Sequence, residues 1–414
     1  MKSQDSHPML CSHSITALLI TLVVLHEAST KDLRQISEPK IPAACVSLRG
    51  TGRNETAVLQ KALNSCGKGK AVHLASGAFV SGPLIVPSGV SLWIDSGAVL
   101  KASSNPKEFD TGKNLCGTLN IEYTACKPLI EIKDATGSGI YGKGTIDGQG
   151  GVTMTGKSIS WWELSHEAQL KNTNHNCPNL IEVRSSKNIT LYDITLKNSP
   201  GSHAIIELTN GFTAWGITIN TPANARNTDG MDPSGSQNIT VAHSSISAGD
   251  DNIAIKGGNA ATRHVSIMNN HFGSGHGMSI GSETYSGVSD VTVTSLTLEG
   301  TTNGLRIKSD RSRGGLVTGI SYTNVCMKNV ANPIVLDTQY SHTASGNRIP
   351  EYQDITFNNI KVLTPGKFMF NGFSDAKPIM ATLSNVHIAK GSTWTASHAK
   401  ITGRYYEDAS GNSC

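Results

Sequence analysis

Four polar turns in the middle of the chain hold residues that can carry out chemistry together. Aspartates lie in NTDGMD and AGDDN, a histidine lies in SGHGM, and an arginine and a lysine lie in GLRIKSD. The intervals between successive turns are 21, 26 and 30 residues, so polar positions recur at a nearly regular distance. The residues concerned are Asp229, Asp250, Asp251, His276, Arg306 and Lys308.

Three carboxylates at one place repel each other, so at least one of them should hold its proton at a higher pH than a free aspartic acid. One residue type then supplies both an acid and a base, as cleavage of a glycosidic bond requires. Arg306 and Lys308 are two residues apart on a predicted strand and therefore point to one face, where they can bind an anionic group such as a uronate carboxylate. A single turn aspartate most often caps its own loop, but several charges recurring in register indicate a site.

The elements that must position these side chains are short, repeated strand patterns. The blocks are NITL from residue 188, FTAWGITI from 212, NITV from 238, HVSI from 264, DVTV from 290, GISY from 319 and DITF from 354. Their second residues, at 189, 213, 239, 265, 291, 320 and 355, are separated by 24, 26, 26, 26, 29 and 35 residues. A period of this size with a β-rich block in each unit is typical of a solenoid.

The repeat predicts an all-β fold, a single-domain right-handed parallel β-helix from about residue 38 to 405. Stacked coils place equivalent residues ~4.8 Å apart, so positions one period apart become neighbours. Leucine-rich repeats are excluded because their L-x-x-L-x-L pattern is absent. One helix is predicted, in NETAVLQKALNSC from Asn54, with Asn54 as its N-cap and an apolar stripe of Val58, Leu59, Ala62 and Leu63. It should cap the N-terminal end of the solenoid, where strand edges are otherwise bare.

Composition and charge exclude several classes. Charged residues are 16% of the 414, against about 25% in ordinary globular chains, which argues against a coiled coil, a charged tail and a helix-rich cytosolic enzyme. The net charge of +4 without a concentrated basic run predicts no nucleic-acid partner. Length alone suggests two or three domains, but the repeat replaces that estimate with one.

The N-terminus and the cysteines indicate secretion. Residues 15–25 (ITALLITLVVL) are too short to span a bilayer and fit the core of a signal peptide over residues 1–30, the alternative being a buried amphipathic segment. No other segment resembles a membrane span, so no membrane association is expected after removal of the signal. Loss of Cys11 leaves seven cysteines. Cys45 with Cys66 and Cys116 with Cys126 fit disulfides, and the lack of any C-x-x-C argues against zinc.

The motifs NTDG, GDD, GHG and RIK, in this order and at these distances, resemble those of the polygalacturonases, the pectin-degrading glycoside hydrolases with a right-handed β-helix. The stretch from Asn227 to Asp310 resembles the bacterial endopolygalacturonase branch most closely, and weaker similarity extends from about residue 44 to 400. Asn252 departs from the pattern, since many fungal and plant members have Cys there, whereas the bacterial type tolerates the change.

The resemblance implies a role for each motif residue. Asp250 would be the general acid that protonates the leaving glycosidic oxygen. Asp229 and Asp251 would hold and deprotonate the attacking water, with His276 supporting the acid. The implied substrate-binding residues are Arg306 and Lys308, for the galacturonate carboxylate next to the scissile bond, and Asn227 and Tyr340, for subsite contacts.

The family's stereochemistry implies inversion in one displacement, without a covalent intermediate, a cofactor or a metal. Carboxylates on adjacent coils would be ~5 Å apart, which the usual geometric rule associates with retention, and the prediction of inversion follows the family. The expected enzyme is secreted, monomeric and endo-acting on polygalacturonate or pectin.

Three alternatives remain open at this point. The first is an exo-acting galacturonidase or another pectin-backbone hydrolase on the same fold. A lyase is disfavoured because β-elimination at a uronate usually recruits Ca²⁺ and a basic Arg or Lys. A non-catalytic carbohydrate-binding solenoid is disfavoured by the complete set of aspartates.

The G-x-S-x-G sequence around Ser279 imitates the nucleophile elbow of serine hydrolases, but no helix pattern follows it.

Overall fold

The computed structural model describes residues 30–120 and 126–414. The predicted signal peptide therefore lies almost wholly outside the described residues. Within them, no helix is long and apolar enough to cross a membrane.

Three helices and 29 strands form in the described ranges. The helices are α1 (Thr56–Ser65), α2 (Pro106–Phe109) and α3 (Trp161–Leu170). The strands are β1 (Ala44–Arg49), β2 (Ala71–Ser81), β3 (Leu84–Ile85), β4 (Ser91–Ile94), β5 (Ala98–Ala102), β6 (Ile130–Lys133), β7 (Gly139–Tyr141), β8 (Thr145–Asp147), β9 (Ile181–Arg184), β10 (Lys187–Tyr192), β11 (Thr195–Lys197), β12 (Ala204–Glu207), β13 (Asn210–Trp215), β14 (Thr218–Asn220), β15 (Met231–Ser234), β16 (Gln237–Ala242), β17 (Ser245–Ser247), β18 (Ile253–Ile255), β19 (Thr262–Phe272), β20 (Met278–Gly281), β21 (Val288–Glu299), β22 (Asn303–Lys308), β23 (Leu316–Lys328), β24 (Asn332–Asp337), β25 (Glu351–Val362), β26 (Lys367–Asn371), β27 (Ile379–Ile388), β28 (Thr393–Ser397) and β29 (Ala399–Tyr406).

The strands stack in parallel as the coils of a β-helix, as the repeat predicts. Two sheets run the length of the solenoid. The smaller has 11 strands, namely β3, β6, β9, β12, β15, β18, β20, β22, β24, β26 and β28, and the other 18 strands form the larger sheet. Early coils contribute two short strands to the larger sheet, such as β10 and β11. From β19 onwards these two strands merge into one of 10–13 residues until β27. The fold class is thus confirmed as a parallel β-helix.

The predicted register holds at six of the seven repeat positions. The structure aligns Ile189, Phe212, Ile239, Val265, Val291, Ile320 and Ile355. The assignment of Thr213 to this row was wrong by one residue. Phe212 is fully buried and takes the inward position, whereas Thr213 pairs with Thr190 and Thr240 on the opposite face. A slip of one residue exchanges the two faces of a strand, so the row is specified by burial.

The residue before each of these inward positions adopts a left-handed backbone conformation. The row is Asn188, Gly211, Asn238, His264, Asp290, Gly319 and Asp354, with φ between 51° and 91°. Glycine adopts this region without strain, and asparagine, aspartate and histidine adopt it more readily than other residues. The polar first letter of each repeat block therefore serves the bend of the coil.

The interior of the solenoid is a continuous stack of aliphatic and aromatic side chains. Ile189, Phe212 and Ile239 are fully buried, and Ile320 and Ile355 are only 1% exposed. Burying each such side chain stabilises the fold by about 1.5–3 kcal/mol relative to exposure to water. The coils are therefore held mainly by vertical apolar stacking, and each strand depends on its neighbours.

Helix α1 lies against the first coil, and its start differs from the prediction. The N-cap is Glu55, while the Asn54 side chain accepts hydrogen bonds from the Thr56 amide and hydroxyl. Leu59 and Leu63 are buried as predicted, but Val58 is 55% exposed.

The helix also satisfies a bare strand edge. The Gln60 side-chain amide donates to the carbonyl oxygen of Ile85 at 2.9 Å and accepts from the Ile85 amide at 2.8 Å. Ile85 belongs to β3, the terminal strand of the 11-stranded sheet, so one side chain pairs both of its outward-facing backbone groups.

Three disulfides cross-link the described residues. Cys45 bonds to Cys66 and Cys116 to Cys126, the two pairs expected from the sequence. The first joins β1 to the residue after α1. Cys326 bonds to Cys414, a pair that the sequence left undefined, and Cys177 is the cysteine of the described ranges that stays outside a disulfide.

We expect Cys414→Ser to lower the thermal stability measurably. The Cys326–Cys414 bond ties the C-terminus to β23 across a separation of 88 residues, and the chain-entropy model assigns such a loop about 4.5 kcal/mol. Differential scanning calorimetry of the variant should show a lower Tm than the parent. Ser413→Ala, a change at the neighbouring exposed residue, is the control, and equal Tm values for Cys414→Ser and the parent would contradict the expectation.

Candidate active site

Successive coils of the 11-stranded sheet position the charged turns. Met231 of β15 pairs with Ile253 of β18, which pairs with Met278 of β20, which pairs with Leu305 of β22. Asp229, Asp251 and His276 each stand two residues before a member of this row. The turns of three coils therefore end side by side at one edge of the sheet, as the near-regular spacing predicts.

Asp251 lies at the centre of a buried ion cluster. Its Oδ1 accepts from Arg306 Nη2 and, at 2.8 Å, from Ser279 Oγ, and its Oδ2 accepts from Lys308 Nζ at 2.9 Å. Arg306 and Lys308 are each 8% exposed and Asp251 is 2% exposed. Both predicted cations thus bind the same site carboxylate, and the three side chains together keep one positive charge at low solvent exposure.

Asp250 faces the cleft beside His276. Asp250 Oδ1 is 2.9 Å from His276 Nδ1, and the His276 amide donates to the Asp250 carbonyl oxygen at 2.8 Å. Asn227 Nδ2 lies 3.5 Å from Asp250 Oδ2. Because an ionised carboxylate only accepts hydrogen bonds, Nδ1 is the ring nitrogen of His276 that donates to Asp250.

Asp229 and Asp232 form the acidic side of the cleft. Burial, followed by the charges of Asp232 and Asp250, raises the pKa of Asp229 well above its ordinary value of 3.8. Burial also raises the pKa of Asp232 to about 6, although Lys256 opposes this shift. Of the three carboxyls predicted for the site, Asp229 has a raised pKa, and burial is a larger cause of this shift than repulsion by the neighbouring carboxylates.

Asp250 is shifted the other way. Burial would raise its pKa, but the His276 hydrogen bond and the positive charges of His276 and Lys308 hold the pKa of Asp250 at about 2. Asp250 is therefore ionised near neutral pH, whereas Asp229 is the carboxyl that holds a proton to higher pH. A role for Asp250 as an acid requires that substrate change this balance.

A cleft of about 430 Å³ opens over these residues. Six of the predicted site residues line it, namely Asn227, Asp229, Asp250, Asp251, Lys308 and Tyr340. Arg306 and His276 do not line the cleft. Arg306 contacts Asp251 and His276 contacts Asp250, and both of these aspartates line it. Tyr340 is 45% exposed at its rim, with Lys308 Nζ 5.2 Å from the ring centroid.

Several residues of the site carried no prediction of a role. Asp232 and Lys256 line the cleft as a pair, with Oδ2 and Nζ 3.5 Å apart. His203 is fully buried, and its Nδ1 donates to the Asp229 carbonyl oxygen at 2.9 Å. Asp232 and Lys256 could have been found from the sequence, because they lie in the motifs NTDGMD and GDDNIAIK. His203 lies in a turn without a motif, so no sequence pattern indicated its contact with Asp229.

Two further polar residues hold the turns together. Asn252 Nδ2 donates to the carbonyl oxygens of Ile246 and Ser274, and its Oδ1 accepts from the Gly277 amide at 2.8 Å. Ser279 lies in β20, with no helix following, so the nucleophile-elbow interpretation fails. Its hydroxyl instead links Asp251 and Arg306, since it accepts from Arg306 Nε at 3.0 Å.

The donor atoms of Asp250, Asp251 and His276 lie within 4.8 Å of one another, close enough for a cation. However, both oxygens of Asp251 accept from the cations Arg306 and Lys308, and His276 Nδ1 faces Asp250. The positive charges already present oppose a further cation at this position. The geometry suits charge-assisted binding of an anionic substrate group better than it suits a metal.

Fold and site together define a class. Parallel β-helix coils bring three carboxylates and a lysine into one open cleft, with a histidine and an arginine bound to two of the carboxylates. These groups suit acid–base cleavage of a glycosidic bond within a chain. The protein is a glycoside hydrolase of the parallel β-helix type.

Comparison with known proteins makes the assignment more specific. Residues 85–414 match the model of the glycosyl hydrolases family 28, and the chain belongs to this family. It is 49% identical over 394 residues to the endo-polygalacturonase of Pectobacterium carotovorum subsp. carotovorum, covering 94% of this chain and 98% of the relative. The solved polygalacturonase of Erwinia carotovora ssp. carotovora superposes with a TM-score of 0.88 at 49% identity, over 90% of this chain and 100% of that one.

A more distant solved structure shares the fold. The exopolygalacturonase of Thermotoga maritima superposes with a TM-score of 0.74 at 19% identity, covering 90% of this chain and 93% of that chain. The β-helix fold of this chain is therefore also that of an exopolygalacturonase, and the fold by itself does not distinguish endo from exo action.

Proposed function

We propose that the chain is an endo-acting polygalacturonase that hydrolyses α-1,4-galacturonosyl linkages of polygalacturonate. The observation that carries this proposal is the cleft itself, in which Asp229, Asp250 and Asp251 stand beside Lys308. Relatives named endo-polygalacturonase at 49% identity, which this chain matches over 94% of its length, support the endo mode of action.

In the proposed reaction Asp250 donates its proton to the leaving glycosidic oxygen. Lys308 is one of the charges that keep the pKa of Asp250 low in the free site. A substrate carboxylate on Lys308 balances that charge, which raises the pKa of Asp250 and favours its protonated form. Binding of a uronate thereby prepares the acid, so the site favours acidic over neutral glycans.

The attacking water is held and deprotonated by Asp229 and Asp251. Asp229 is a stronger base than Asp250, because burial and neighbouring charges raise the pKa of Asp229 whereas that of Asp250 is lowered. Asp251 is fixed by Ser279, Arg306 and Lys308 and serves to orient the water. As the bond to the leaving oxygen breaks, the water oxygen bonds to the anomeric carbon and its proton passes to the base.

We propose a single displacement with inversion at that carbon, without metal or cofactor. Proton NMR of the first product anomer tests this directly. Formation of the β-anomer from an α-linked substrate supports inversion, whereas initial appearance of the α-anomer would show retention and require a covalent intermediate. Asn227 and Tyr340, both lining the cleft, contact neighbouring sugar units.

The decisive experiment is a reducing-end assay on polygalacturonate, followed by chromatography of the products. Mixed oligomers formed early in the reaction indicate endo-cleavage. Monomer or dimer alone would indicate an exo-acting enzyme, and products that absorb as unsaturated uronates would indicate a lyase. Binding without release of reducing ends would indicate a non-catalytic carbohydrate-binding solenoid.

We expect the acidic limb of the pH profile to respond to Asp232. Asp229 must be ionised to act as a base, and Asp232 is, after burial, the first of the causes that raise its pKa. Asp232→Asn removes that charge, so the acidic limb of kcat/KM should move to lower pH by about one unit. Asp354→Asn, in the bend of a distant coil, is the control. An unmoved limb in Asp232→Asn would argue against Asp229 as the base.

We further propose that the enzyme is secreted as a monomer after removal of a signal peptide within residues 1–30. The substrate is a large extracellular polymer, and three disulfides suit an oxidising compartment. Mass spectrometry of the protein from the culture medium and light scattering of the purified product test these two statements.

A further inference from the structure

Lys256 occupies the same level of the sheet as Lys308, two coils away. It follows β18, whose Ile255 pairs with Ile280, and Ile280 pairs with Ile307. On these three successive coils, the paired isoleucines are followed by Lys256, Gly281 and Lys308 respectively. Two coil spacings place the backbones of the two lysines roughly 10 Å apart. The coil between them has no side chain at this level, and all three residues line the cleft.

The Lys256 ammonium has unused hydrogen-bonding capacity. Among the described residues its ionic contact within 4 Å is with Asp232 Oδ2, at the long distance of 3.5 Å. An ammonium offers three donors, so this contact leaves at least two of them for a ligand. The Lys256 side chain is 28% exposed, whereas that of Arg306 is 9% exposed.

An acceptor without a partner lies next to this ammonium. Asp232 Oδ1 is buried and has no hydrogen-bond partner, although the residue lines the cleft. A buried polar atom left unpaired costs free energy unless a ligand or a water satisfies it. Because Asp232 Oδ1 is enclosed, the group offered to the cleft is the Lys256 ammonium, whose free donors suit the carboxylate of a sugar unit.

We propose that Lys256 binds the carboxylate of a second galacturonate unit, distinct from the unit held at Lys308, so that the enzyme recognises acidic units at two positions in the cleft. This inference rests on the proposed function. Asp232 holds the ammonium in place, the charge of Glu283 in the lining of the cleft also attracts it, and the substrate carboxylate accepts from its remaining donors. Neutral methyl-esterified units lose this interaction at either place.

The test compares Lys256→Met with the parent on unesterified hexagalacturonate and on highly methyl-esterified pectin. We expect KM on the unesterified oligomer to rise at least tenfold, with a smaller change in kcat, and KM on the esterified substrate to change less than twofold. Lys256→Arg keeps the charge and should restore most of the affinity. Lys197→Met removes the lysine of another lysine–aspartate pair, 3.3 Å from Asp147, and should leave both KM values unchanged.

A second measurement separates binding from folding. Titration calorimetry of unesterified hexagalacturonate with Asp250→Asn and with Asp250→Asn/Lys256→Gln should show weaker binding in the double variant, at similar Tm. An equal effect of Lys256→Met on both substrates, or equal affinities in the calorimetry, would overturn the inference while the parent still cleaves polygalacturonate. If the parent releases no reducing ends from polygalacturonate, the proposed function itself fails.

Discussion

Asp250→Asn is expected to reduce kcat on polygalacturonate by about a thousandfold. The amide cannot donate the proton that the leaving oxygen needs, and general acid catalysis typically contributes 10²–10⁴ in rate. The substitution keeps the size of the side chain, and its carbonyl oxygen can still accept from His276 Nδ1. The loss should therefore appear as lost chemistry, at an unchanged Tm. Release of reducing ends from polygalacturonate measures it.

The same substitution at Asp290 is the matched control for this experiment. Asp290 lies in the 18-stranded sheet at a left-handed bend, where asparagine is equally tolerated, and its side chain is 43% exposed. Asp290→Asn should retain parental activity. Retention of more than a few per cent of activity by Asp250→Asn would refute the assignment of Asp250 as the acid and direct attention to the Asp229 and Asp232 pair.

Arg306→Ala is expected to lower kcat/KM by roughly a hundredfold to a thousandfold, with much of the loss in kcat. From the sequence, Arg306 is expected to act on KM by binding the substrate carboxylate. In the structure it is buried against Asp251, so its removal leaves that carboxylate with one cation fewer and costs 2–5 kcal/mol in comparable buried pairs. Asp251 should then lose the orientation that it needs to hold water.

Comparison with Lys308→Ala separates the two effects, because Lys308 lines the cleft and Arg306 does not. On the unesterified polymer, Lys308→Ala should raise KM and also lower kcat, because Lys308 lines the cleft and binds Asp251, whereas Arg306→Ala should lower kcat with a smaller change in KM. Arg311→Ala, at an arginine of the following turn whose Nε donates to the Gly346 carbonyl oxygen, controls for a general loss of positive charge. A pure KM effect in Arg306→Ala would restore direct carboxylate recognition as its main role.

These expectations share one physical feature, the coupling of charge between substrate and acid. The free cleft holds Asp250 ionised because His276 and Lys308 stand next to it, while Asp229 retains a raised pKa. A carboxylate brought in by the substrate shifts this balance toward a protonated Asp250. A neutral glycan in the same cleft would not raise the pKa of Asp250, so Asp250 would stay ionised and could not act as the acid.

The repeat made much of the fold predictable from the sequence. Stacked coils require an inward apolar residue once per turn and a residue that tolerates a left-handed bend before it, and both leave a visible mark on the chain. The charged turns recur at the same period, so their convergence followed from spacing alone. Thr213 was misplaced because FTAWGITI is nearly apolar throughout, and pattern alone did not identify its inward residue.

The tertiary structure decided what spacing cannot express. Spacing brings Asp251, Arg306 and Lys308 together, but only packed side chains reveal that the two cations pair with Asp251 in the absence of substrate. The bond between Cys326 and Cys414 likewise joins positions with no common period. The sequence determined which residues meet, because a solenoid converts period into proximity. Which partner each charge takes depends on burial and on hydrogen-bond directions, and these exist only once the coils are stacked.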